Sequence, residues 1–127
     1  MISIVFLMLA GIANAVMDTL QFRYSISVFN SPMWREWADP RISWKNKWKD
    51  GKKEKGERFL LSSTVFVWTT DLWHFAQSIM ISSFVLAAIC YSPVFGLGGW
   101  WDILIDFLLF KTAFSISFEL FWRKILS

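Results

Sequence analysis

The chain has 127 residues, 55% of them apolar and 19% aromatic, and a formal charge of +3. A soluble domain of this length could not bury so many large side chains without leaving broad apolar patches, so the composition argues against a water-soluble globule and for lipid as solvent. The positive charge is local, because nine of the thirteen Lys and Arg lie between Asn30 and Arg58; sidedness beside a membrane span accounts for that cluster without a nucleic-acid partner.

The pattern predicts an all-α integral membrane protein, one membrane domain over residues 1–127 with three transmembrane helices. Helix 1 is expected over about 2–29, interrupted by Asn14, Asp18, Gln21 and Arg23. Its length exceeds the roughly 20 residues needed to cross a bilayer. Asn14, Asp18, Gln21 and Ser25 recur at steps of four, three and four, which gathers them into one stripe about 60° wide. Ala13-Asn14-Ala15 has the small-x-small form of a signal-peptidase site. No Lys or Arg precedes the apolar run, so the helix is expected to stay as a span.

Residues 30–58 form the expected cytoplasmic, interfacial loop. Asn30-Ser31-Pro32 ends helix 1, and Pro40 and Gly51 punctuate the loop itself. Trp34 and Trp37 are three apart and Trp44 and Trp48 four apart, with Lys, Arg, Asp and Glu between them. Tryptophans backed by lysines suit amphipathic segments lying at headgroup level.

Helix 2 is expected over about 59–91, with Thr64, Asp71, Ser78 and Ser82 in one stripe and His74 about 60° from Asp71. Cys90 lies in the same run and reads as a buried structural thiol. The uncharged turn 92–99, with Pro93, Gly96, Gly98 and Gly99, predicts a tight hairpin into helix 3 over about 100–126. Asp102 sits in the first turn of that helix, where an acid favours the positive end of the dipole. Glu119 and Arg123 form an i,i+4 pair. Lys111 falls near mid-membrane and calls for a counter-ion, with Asp71 or Asp106 of a neighbour in view. Arg123, Lys124 and the basic loop place the C-terminus and loop inside and the N-terminus outside.

Ionisable groups within a span cost several kcal/mol, roughly 2.5–3.5 on insertion scales, so they face protein, a partner or a wet cavity. Turning the two polar stripes toward each other makes Asp18, Asp71 and His74 converge in the inner half of the membrane, flanked by Asn14 and Gln21, with Ser78 and Lys111 nearby. Three functions fit that cluster. Asp18, Asp71 and His74 could ligate a divalent metal such as zinc. In a homo-oligomer they could handle protons or ions. The plainest reading is an accessory or assembly subunit of a membrane complex, whose polar residues fix helix packing. With its N-out, C-in topology the chain also resembles the phage holins, in topology alone, which would imply a pore former. No specific catalytic motif is present.

Overall fold

The computed structural model describes residues 1–126, which are helical with no strand. The main elements are α1 (Ile2–Phe22), α2 (Arg35–Ala38), α3 (Leu72–Ile89) and α4 (Trp100–Leu120), the last continued by a π turn over Phe121–Ile125. Four short 3-10 turns punctuate the stretch between α2 and α3.

Two boundaries differ from expectation. Helix 1 stops at Phe22 rather than near Phe29, because side chains beyond it bond locally: Ser27 Oγ donates to the Tyr24 carbonyl at 2.8 Å and Asn30 Nδ2 to the Ser25 carbonyl at 2.8 Å. Helix 2 starts at Leu72, not Phe59. Ser62-Ser63-Thr64-Val65-Phe66-Val67-Trp68-Thr69-Thr70 is a run of poor helix formers. Its hydroxyls bond elsewhere, Ser62 Oγ reaching back to the Lys47 carbonyl at 2.7 Å. The segment leaves Leu60, Val65 and Phe66 exposed instead of extending a span.

α1 and α3 are long and apolar enough to cross a membrane. At 1.5 Å per residue they measure about 31 and 27 Å. α4, the expected third span, matches them in length, yet every 18-residue stretch of it carries at least three ionisable residues. Two qualifying helices are therefore observed where the sequence predicted three.

α1 lies between α3 and α4 and packs on both. It runs against α3, with Ser3 Oγ donating to the Ala87 carbonyl at 2.9 Å. It runs alongside α4, where Arg23 Nη1 donates to the Trp122 carbonyl at 2.9 Å. The helices meet through small residues: Ser3, Ala10, Gly11, Ala13 and Ala15 of α1 and Ala76, Ser83 and Ala87 of α3 are buried. Val5, Leu9, Ile81, Val85, Ile103, Phe107 and Ile116 face outward. Small side chains inside and large apolar ones outside invert the order of a water-soluble core and suit helices packed in lipid. A separate apolar cluster of Leu20, Ala38 and Leu72 joins the C-terminal end of α1 to α2 and the start of α3, with Trp34, Trp37 and Phe75 against it.

Candidate functional site: an aspartate–histidine pair beside a cavity

Asp71 precedes α3 with extended backbone, φ −153° and ψ 159°. Its Oδ1 accepts the His74 backbone N–H at 2.9 Å, the ordinary N-cap bond. Its Oδ2 lies 2.7 Å from His74 Nδ1. Asp71 is only 3% exposed. With the carboxylate accepting in each of these bonds, Nδ1 carries a ring proton, and in the uncharged form of the ring the lone pair is on Nε2. Among the described residues Nε2 makes no hydrogen bond. The Trp73 ring meets the imidazole edge-on at 5.1 Å between centroids.

The pair lines a cavity of about 320 Å³, together with Leu20 and Gln21 of α1, Ala38 of α2, Pro40, Ser43 and Trp44 of the loop, and Trp73. The loop is pinned there by Asn46, whose Nδ2 donates to the Glu36 and Thr70 carbonyls at 2.8 and 2.9 Å. Asp39 closes the turn after α2, accepting from the Arg41 guanidinium at 2.9 and 2.6 Å. Those side-chain bonds hold its carboxyl below the ordinary aspartate range. Glu57 is likewise held low, chiefly by the Ser63 hydroxyl, and also accepts the Leu61 N–H at 3.0 Å.

The expected polar cluster assembles only in part. Asp71, His74 and Gln21 share the cavity, whereas Asp18 and Asn14, half-buried further along α1, do not line it. The reason is the start of α3. With Asp71 at its first turn, the carboxylate opens on the same cavity as Leu20 and Gln21, and Asp18 stands outside that lining. Asp18, Asp71 and His74 therefore do not form the expected metal set, and no group of three or more His, Cys, Asp or Glu suited to a metal occurs among the described residues. Ser78 lies half-buried one turn beyond His74.

Neither expected counter-ion reaches Lys111. Asp71 is bonded to His74, and Asp106 accepts from the Tyr91 hydroxyl at 2.8 Å and the Val94 N–H at 3.3 Å. Asp102 accepts from the Leu97 and Gly98 N–H groups at 2.9 and 2.6 Å. Both α4 acids are thus spent on folding the turn before their helix. Lys111 is exposed at the edge of an apolar groove lined by Leu7, Phe84, Phe107, Phe110 and Phe114. Glu119 pairs with Arg123 at 2.5 Å.

Of the four tryptophans assigned to the interface, Trp34 and Trp37 stack at 6.3 Å and pack inward on the Leu20 cluster, while Trp44 is exposed. Trp48 is half-buried and bridges to Glu57. Sequence reasoning did not single out Trp73 or Asn46. The signal that Thr70-Asp71 opens a helix, a cap residue ahead of an apolar run, was available in the sequence. No family model, curated protein or solved structure matches this chain.

Proposed function

We propose that the chain is a membrane accessory subunit, N-terminus outside and basic loop and C-terminus inside, that joins a larger complex through α4. The observation that carries this reading is the polar stripe opposite the buried face of α4. Lys111, Thr112, Ser115 and Glu119 are all exposed there, on an arc of about 100°. Among the described residues Lys111 forms no ion pair, and the Thr112 and Ser115 hydroxyls make no hydrogen bond. Snorkelling along a flexible stem would relieve Lys111 alone. A neighbouring helix with a carboxylate at the same depth satisfies the whole stripe. Copies of this chain inserted in one direction would set Lys111 against Lys111, so the partner differs in sequence.

A photo-crosslinker placed at Ser115 in native membranes tests this reading. One defined adduct is expected, lost in Lys111→Gln while helicity and thermal stability are kept. No adduct, or an adduct indifferent to Lys111, refutes the assembly role. Proton handling is a second reading, favoured by the Asp71–His74 pair. It requires that Asp71→Asn alter proton flux in proteoliposomes, and an unchanged flux removes it.

A further inference from the structure

We propose that the cavity beside the Asp71–His74 pair binds the neutral hydroxyl headgroup of a glycerolipid, accepting its O–H on His74 Nε2. The inference rests on the membrane reading of α1 and α3 and is independent of the α4 interface.

Three features select the ligand. The first is polarity of the hydrogen bond. With Nδ1–H committed to Asp71 Oδ2 at 2.7 Å, the uncharged ring offers a lone pair on Nε2 and takes a donor there. A fully ionised phosphate or carboxylate has no proton to give. An ammonium group has, yet the basic loop beside the cavity opposes it: Asn30–Arg58 carries nine Lys and Arg against five Asp and Glu, and the Asp71 carboxylate on the wall is already bonded to His74. The loop's combined field repels a cation and tolerates a neutral molecule. A hydroxyl remains.

The second feature is shape. About 320 Å³ is at the small end of ligand cavities, enough for a polar headgroup and its first carbons but too small for acyl chains. Leu20, Trp44 and Trp73 supply apolar wall, and Gln21 supplies a second donor and acceptor for a vicinal hydroxyl. An indole-walled cavity with one basic nitrogen at its edge suits an amphiphile entering head first.

The third is depth. Leu20 and Gln21 end α1, and Asp71, Trp73 and His74 begin α3. The cavity therefore stands where two apolar helices finish on the same side, at the level of lipid headgroups in the leaflet next to the basic loop. Gln21 and Trp44 are exposed at its rim, so a lipid has access.

His74 is the single histidine of the chain, which makes its ring nitrogens an isolated reporter. Protein labelled with nitrogen-15 histidine would be held in dodecylphosphocholine micelles, whose headgroup has no hydroxyl, and titrated with monooctanoylglycerol. A saturable shift of the Nε2 resonance is expected. Methyl octanoate, with the same chain and no hydroxyl, should leave it unmoved. Trp44→Ala should weaken the binding about tenfold, the equivalent of 1.4 kcal/mol, while the Nδ1 signature of the Asp71 bond persists. Equal shifts from both additives would mean simple partition and would overturn the site. So would no shift from either, or a shift produced by zinc ions and by no glyceride. If the protein proves monodisperse without any detergent, the membrane reading itself fails; if it requires the micelle and Nε2 stays silent, only the cavity proposal does.

Discussion

Gly11→Ala tests the packing of α1 on α4 directly. A Cβ built at Gly11 would strike Ser117 Oγ and come within 2.5 Å of the Phe114 carbonyl oxygen. The hydroxyl can rotate away, giving up its 2.8 Å bond to that carbonyl. The carbonyl is backbone and cannot, so the helices must separate by about 1 Å to restore ordinary van der Waals distance. Overpacking of this kind costs about 1–3 kcal/mol. Replacing a mid-helix glycine by alanine returns about 1 kcal/mol of intrinsic helix stability. The net is a loss of about 1 kcal/mol, and Gly11→Leu, with the same backbone gain and a far larger clash, should lose several times more. Thermal unfolding in detergent followed by circular dichroism reads both. Adding Ser117→Ala removes one of the two obstacles and should restore only part of the loss. A Gly11→Ala protein that melts at or above the parent temperature would refute the close approach of the two helices.

Asp71→Asn keeps an N-cap acceptor but turns an amide toward His74 Nδ1, so the ring proton should move to Nε2; nitrogen-15 shifts of the ring report the exchange, while Asp71→Ala should cost about 1–2 kcal/mol of α3 stability on melting. Asp39 has a carboxyl held below its unfolded value of 3.8, so its stabilisation is complete above that value and is lost as pH falls through the lower folded one; the stabilities of the parent and of Asp39→Asn should differ by a constant amount above that window, converge through it and run together below it. Tyr91 is held above the ordinary tyrosine value of 10.0, first by the hydrogen bond to Asp106 and then by burial, so Asp106→Ala should lower the titration midpoint of one tyrosine in the ultraviolet. The same variant leaves the Tyr91 hydroxyl and Val94 N–H without their acceptor and should lower the melting temperature.

Long-range character was easier to read from the chain than element ends. The apolar runs before Phe22 and after Leu72 were visible as helices because hydrophobicity sustained over that length has few other solutions. The start of α3 was hidden: Phe59 to Thr70 is nearly as apolar as the helix it precedes, and only its Ser, Thr and β-branched content marks it as a turn region. That displacement of about a dozen residues is why Asp71 became a cap instead of a mid-span charge, and why it found His74 and Gln21 but not Asp18. The acids of α4 show the same limit. Periodicity put Asp102 and Asp106 on one face, but whether a carboxylate answers a distant cation or the backbone of its own turn depends on chain reversal. The N–H groups of Val94, Leu97 and Gly98 stand closer than any lysine.

Those bonds also make the turn self-sufficient. Asp102 and Asp106 find every observed side-chain partner within fifteen residues, all in the turn between α3 and α4. The turn therefore needs no counter-charge from elsewhere in the chain, while the two helices it joins meet chiefly through α1, whose narrow glycine and alanine face packs on both.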